Sequence, residues 1–279
     1  MLWNNQRESG NVSDQRGIGG KTLGVGGLVV GAIVYYFMGG NPLDYLAQNA
    51  GNVTTGPHTM QQQREAPRSD DDKKFVAVVL GETEDVWHAV FKQINLTYQE
   101  PKLVLFTQSV QSACGQASSA VGPFYCPGDH QVYLDLTFFK QLQTKLGAKG
   151  DFAEAYVIAH EVGHHVQNLL GVEKSIRRQQ QAAGDSSRNH FSVIMELQAD
   201  CLAGVWAKQT QDTKQVIENG DIEEAINAAA AVGDDRLQQA SRGQVVPDSF
   251  THGSSAQRVA AFKTGFGGGQ LQACLDNYR

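Results

Sequence analysis

The sequence predicts an α+β fold: a mainly helical domain carrying a small antiparallel sheet, preceded by one transmembrane helix. Three observations point there. An uncharged apolar run covers residues 22–40, two short β-branched and aromatic runs lie between Pro101 and Leu136, and helical periodicity dominates after about Phe138. The 279 residues, 41% of them hydrophobic, suffice for one sizeable core with appendages. A formal net charge of -6 and the lack of a long basic cluster argue against a nucleic-acid partner.

In chain order, "TLGVGGLVVGAIVYYFMGG" (22–40) is just long enough to cross a bilayer as one helix. Tyr35, Tyr36 and Phe37 suit an interfacial aromatic belt, and Gly27 with Gly31 forms a GxxxG pair. Arg7, Arg16 and Lys21 precede the run, whereas the next basic residue after it is Arg64. The positive-inside rule therefore predicts a single-pass inner-membrane protein, with residues 1–21 cytoplasmic and the main domain periplasmic. A cleaved signal peptide is the competing reading, but no small-residue cleavage site stands out. Residues 41–72, rich in Gln, Asn, Thr, Gly and charge, read as a flexible tether, which leaves 73–279 as the folded domain.

From Phe75, "FVAVVLGETEDVWHAVFKQI" predicts two short helices on either side of Gly81. "PKLVLFT" (101–107) and "HQVYLDL" (130–136) predict strands, and Pro127, Gly128 and Asp129 predict a turn between them, hence an antiparallel sheet. A helix in "TFFKQLQTKL" breaks at "GAKG". Asp151 opens the next helix, with Glu154 placed for a capping box, and that helix ends at Gly171. Further helices are expected from about His190 to Lys208, from Asp221 (with Glu224) and from Ser254 (with Gln257). The polar segments 112–123 and 177–189 read as loops that shape a pocket.

Four cysteines, Cys114, Cys126, Cys201 and Cys274, are too widely spaced for a small disulfide scaffold. If the domain lies outside the cytoplasm, Cys114 with Cys126 and Cys201 with Cys274 is the first pairing to test. Four buried free thiols is the competing reading. A structural metal site from Cys114, Cys126 and His130 lacks the CxxC spacing that would favour it.

The chemistry concentrates in "AYVIAHEVGHHVQNLL". On a helix, His160 and His164 are four residues apart and project from one face, so both imidazoles can grip one zinc ion. Glu161, rotated by one residue, sits beside the metal, where a general base takes a proton from a zinc-bound water. His165 points about 100° away from His164 and reads as a bystander. A catalytic zinc wants a third protein ligand. "VIMELQADCLAGVWA" offers Glu196 and Asp200 on one face of an apolar helix. Glu196 as ligand, with Asp200 accepting a hydrogen bond from the outer nitrogen of His160, is the economical assignment; the swap, with Asp200 on the metal, stays open. For the oxyanion of peptide hydrolysis, His252 and Arg258 flank the start of a late helix and could reach the site, or could merely fix that helix end. Tyr98, Tyr125 and Tyr156 are further donors, unranked.

"KFVAVVLGETEDVW", "SACGQASSAVGPFYCPGDHQVYLDLTFF", "AYVIAHEVGHHVQ", "MELQADCLAGVWA", "GDIEEAINAAAAVGDDRLQ" and "PDSFTHGSSAQRVAAF" together resemble a bacterial, membrane-anchored family of neutral zinc metallopeptidases. The resemblance covers about Asp70 to Arg279. It implies a zincin-like peptidase of the glutamate-ligand type, with His160, His164 and Glu196 on Zn2+, Glu161 catalytic, and a late His252–Arg258 element. The substrate would be a peptide or protein; the resemblance names neither it nor the oligomeric state. The rival reading is a zinc-stabilised binding or regulatory module of the cell envelope with weak or no turnover.

Overall fold

The computed structural model describes residues 1–16, 70–182 and 184–278. Among these no helix is long and apolar enough to cross a membrane, and the apolar run 22–40 lies outside them. The order of elements is β1 (Val12–Asp14), α1 (Asp70–Gln93), β2 (Lys102–Phe106), β3 (Ser109–Ser112), β4 (Gly115–Ser118), β5 (Phe124–Cys126) and β6 (Gln131–Asp135). Helices follow: α2 (Thr137–Thr144), α3 (Asp151–Leu169), α4 (Val172–Ala182), α5 (Asp185–Lys214), α6 (Asp221–Ala231), α7 (Asp234–Arg242), α8 (Ser255–Gly268) and α9 (Leu271–Asn277). The chain is therefore α+β and mainly helical with a small sheet, as expected.

The sheet is mixed, where the sequence suggested an antiparallel one. Its order is β1-β2-β6-β5, with β1 and β6 both parallel to β2 and only β5 antiparallel to β6. The turn at Pro127 to Asp129 joins β5 to β6, not β2 to β6. Between β2 and β6 the chain makes an excursion through the β3–β4 hairpin, and that length permits a parallel return. The segment 112–123, expected as a loop, contains part of this hairpin, and 177–189 is largely taken up by α4 and α5.

Two other boundaries move. α1 is one continuous helix of 24 residues through Gly81, starting within the supposed tether. Residues 1–16, expected as a separate cytoplasmic segment, pack into the domain: β1 extends the sheet, and Met1 and Ser9 are buried. Of the three expected capping boxes only the one at Ser254 and Gln257 forms. At the start of α3 the Phe152 N–H donates instead to Glu224 of α6 at 3.1 Å, and Glu154 accepts from Gln143.

The core gathers on α3, whose residues from Phe152 to Gln167 are buried at nearly every position. Phe152 stacks on Trp206 of α5, and the sheet face packs Leu103, Leu105, Val132 and Leu134 into the same cluster. α5 and α8 approach so closely that a Cβ on Gly265 would lie 1.8 Å from the Cys201 carbonyl oxygen. The disulfide Cys201–Cys274 ties α9 to α5, and Cys114–Cys126 ties the hairpin to β5, the pairing the sequence put first.

Candidate metal centre

The site begins with an interhelical contact. Gly163, inside "HEVGH", faces α5 so closely that a Cβ there would lie 3.0 Å from the Ala199 carbonyl oxygen. The missing side chain lets α5 lie against α3, which brings Glu196 and Asp200 to the face that carries His160 and His164.

On that face, His160 Nε2 lies 3.2 Å from one Glu196 oxygen and His164 Nε2 lies 3.5 Å from the other. One donor atom from each of His160, His164 and Glu196 falls within 4.8 Å of the others. Behind them, each histidine is held by its second nitrogen. His160 Nδ1 is 2.8 Å from Asp200, and His164 Nδ1 is 2.8 Å from the Gln167 side-chain oxygen. With Nδ1 turned backward to Asp200 and Gln167, both Nε2 atoms face the Glu196 carboxylate, the ring orientation that zinc-binding histidines require. Two imidazole nitrogens and one carboxylate oxygen also match the donor chemistry of a catalytic zinc site.

Asp200 stands behind His160, not beside His164. Its side chain is fully buried, and both its oxygens receive the Arg258 guanidinium, at 2.8 Å from Nε and 2.9 Å from Nη2. The Tyr156 hydroxyl donates to the same carboxylate. Burial works to raise the Asp200 pKa, but Arg258 and His160 hold it below the usual carboxylate range. Arg258, 4% exposed, is thus committed to Asp200. Its Nη2 also lies 3.4 Å from His160 Nδ1, so Arg258 stands directly behind a donor, and its Nη1 donates to the Val232 carbonyl at the end of α6.

The same fields act on the donors. Burial lowers the His160 pKa, yet the charge and hydrogen bond of Asp200, with Glu196, lift it to about 10. Burial alone would raise Glu196, but His164 and His160 hold it well below its ordinary value. Glu161 is buried beside the three donors without belonging to them, and burial pushes its pKa up against the pull of both histidines. A carboxyl displaced toward neutrality is suited to take and return a proton.

His165 faces the other way. Its Nε2 is 2.6 Å from the Gln99 carbonyl oxygen and its Nδ1 is 3.0 Å from the Tyr125 hydroxyl, and burial takes its pKa down to about 4. It is a neutral pin between α3, β5 and the strand-leading loop. Tyr125 is engaged there and with Asn168, and Tyr98 is buried in the core, so neither is among the groups at the centre.

His252 lies on the loop before α8, half exposed, with Nδ1 3.2 Å from an Asp234 oxygen. The other Asp234 oxygen accepts the backbone N–H groups of Thr251, His252 and Gly253, so the start of α7 clamps the loop. The next residue, Gly253, lies against α5, the helix that carries Glu196: a Cβ there would lie 3.3 Å from the Val193 and Leu197 side chains. Sequence reading missed Asp234 and Gln167. Gln167 was detectable, three residues after His164 on the same helix face; Asp234, eighteen residues before His252, carried no local signal.

A second acidic cluster, Asp151, Asp221 and Glu224, also has metal-like spacing, but the Met1 ammonium lies 2.7 Å from Asp151 and 3.3 Å from Asp221. A cation is thus already built in there.

A histidine pair on one helix, an intervening glutamate, and a carboxylate delivered by a second helix form a group that could hold a metal ion. Residues 1–277 match the family described as "Putative neutral zinc metallopeptidase", and the chain belongs to that family. It is 47% identical to the uncharacterised protein YpfJ of Escherichia coli K12, over 98% of each chain. It is 45% identical to the uncharacterised proteins Mb2605 of Mycobacterium bovis and Rv2575 of Mycobacterium tuberculosis, over 73% of this chain and 71% of theirs. No solved structure matches.

The arrangement behind His160 yields a test. Asp200→Asn keeps the size of the side chain and removes the charge that orients the imidazole. Zinc affinity, read by competition with a chromophoric chelator, is expected to fall about 10–100-fold. Unchanged affinity would show that Asp200 does not support the ligand.

Proposed function

We propose that this chain is a zinc-dependent endopeptidase, with His160, His164 and Glu196 holding the ion and Glu161 as general base. One observation carries the reading: Glu161 is a buried carboxyl adjacent to a complete three-donor set and outside it. A purely structural metal site has no use for such a group. When bound, zinc supplies a Lewis acid for the scissile carbonyl and makes a coordinated water acidic near neutral pH.

The chain's own groups do the rest. Glu161 accepts the proton of the attacking water on its carboxylate and returns it to the leaving amine. His252, with Nδ1 turned to Asp234, presents Nε2 as a donor for the developing oxyanion. Arg258 and Tyr156 hold Asp200, and Asp200 holds the His160 ring. Two disulfides support an oxidising, extracytoplasmic setting for the peptide or protein substrate.

Zinc analysis and a peptide-library digest of the purified protein test the proposal. One zinc per chain, cleavage that stops on chelation and cleavage that returns with added zinc are expected. A chelator that only lowers the melting temperature, with no cleavage to lose, would overturn the enzyme reading and favour a zinc-stabilised binding module.

A further inference from the structure

We infer that Gln198, on α5, is a positioning residue for His164, acting through Gln167, and that carbonyl groups at the end of α9 fix the direction of this relay. The inference rests on the reading of His160, His164 and Glu196 as zinc donors.

Both glutamines are buried, Gln167 at 0% and Gln198 at 1% exposure, so each amide has to be satisfied inside the protein. Main-chain carbonyls, which can only accept, settle which way each amide points. The Gln167 nitrogen donates to the Met195 carbonyl at 2.8 Å and to the Gln198 side-chain oxygen at 2.9 Å. The Gln167 oxygen is thereby turned to His164 Nδ1, 2.8 Å away. An amide oxygen cannot donate, so Nδ1 carries the hydrogen, and Nε2, 3.5 Å from Glu196, is the nitrogen left for a metal. A reversed Gln167 amide would set its oxygen against the Met195 carbonyl oxygen and would ask Nδ1 to accept, which moves the hydrogen of a neutral ring onto Nε2.

Gln198 guards against that reversal. Its own nitrogen donates to the carbonyls of Tyr278 at 2.9 Å and Cys274 at 3.5 Å, so its oxygen is left to face Gln167. Those carbonyls belong to α9 and to the residue that follows it, and the Cys201–Cys274 disulfide holds that helix on α5. The relay thus runs from α9 through α5 to α3. His160 is oriented by other means, the Asp200 carboxylate backed by Arg258. Neutral amides fix which His164 nitrogen carries the hydrogen without adding a further negative charge to a face that already holds Glu196, Asp200 and Glu161.

A double-mutant cycle on the full-length chain tests this, with zinc affinity read by competition with a chromophoric chelator. Gln167→Met and Gln198→Met each keep the length of the side chain and drop its hydrogen bonds. Gln167→Met should lower the affinity about 10–100-fold. Gln198→Met should lower it about 3–10-fold, the weight of one hydrogen bond. Because Gln198 acts through Gln167, the double variant should bind no more weakly than Gln167→Met alone. The visible absorption of the Co2+-loaded protein, which reports ligand geometry, should also change in Gln198→Met. Losses that add in the double variant, or an unchanged affinity and spectrum in Gln198→Met, would overturn the inference and leave the zinc reading intact; a wild type that binds no zinc would overturn both. If Gln198→Met does not fold, the wild type decides: the side-chain amide NMR signals of both glutamines should shift when zinc is added, and a Gln198 signal that stays in place would overturn the relay.

Discussion

Glu161→Gln is expected to lower kcat for peptide hydrolysis by about 10²–10⁴-fold while the protein still binds one zinc. The substitution keeps the shape of a buried side chain that lies outside the donor set, so the helix and the ligand geometry have no reason to change. What it removes is, among the described residues, the acidic group next to the donors that neither histidine nor Arg258 engages, since Glu196 and Asp200 are held by the histidines and Arg258. Steady-state kinetics on a peptide from the library digest, with zinc content measured on the same sample, gives the answer. Activity that survives with zinc in place would rule out Glu161 as the base; loss of zinc together with activity would show that it ligates or shapes the site instead.

The second large effect concerns stability. Arg258→Leu leaves Asp200, whose side chain is fully buried, without the cation that meets both its oxygens. Removing one partner of a buried pair costs about 3–5 kcal/mol. For a domain of this size each kcal/mol is about 2–4 °C of melting temperature, so thermal unfolding should shift down by about 6–20 °C. The double variant Arg258→Leu with Asp200→Leu should recover part of that loss, because it removes the unpaired charge itself. An unchanged melting temperature for the single variant would mean that Tyr156 and His160 suffice to hold the carboxylate.

The candidate site was largely legible before any coordinates. The spacing of His160, Glu161 and His164 on a helix fixes their relative directions, because side-chain orientation along a helix is a local property. Glu196 and Asp200 could be nominated from the cost of two carboxylates on an apolar helix, and the structure puts Glu196 in front of His160 and Asp200 behind it. The same local reasoning failed where a partner came from far along the chain. Gly81 reads as a helix break until the Arg7 backbone is seen crossing it, and Asp151 reads as half of a capping box until Glu224 is seen serving that helix end. The antiparallel sheet was a mistake of the same kind, since a turn signal identifies a hairpin but not which earlier strand lies beside it.

By itself the sequence determined the helical character of the domain, the spacing of His160, Glu161 and His164 on α3 and the cysteines available for pairing, all carried by residue type and short spacing. Only the tertiary structure decided that Arg258 secures Asp200, that Asp234 clamps His252, and that the first sixteen residues belong to the domain. Those contacts join residues 58, 18 and about 90 positions apart. Their partners are selected by burial and charge compensation in the folded core, and no local pattern of residues encodes that choice.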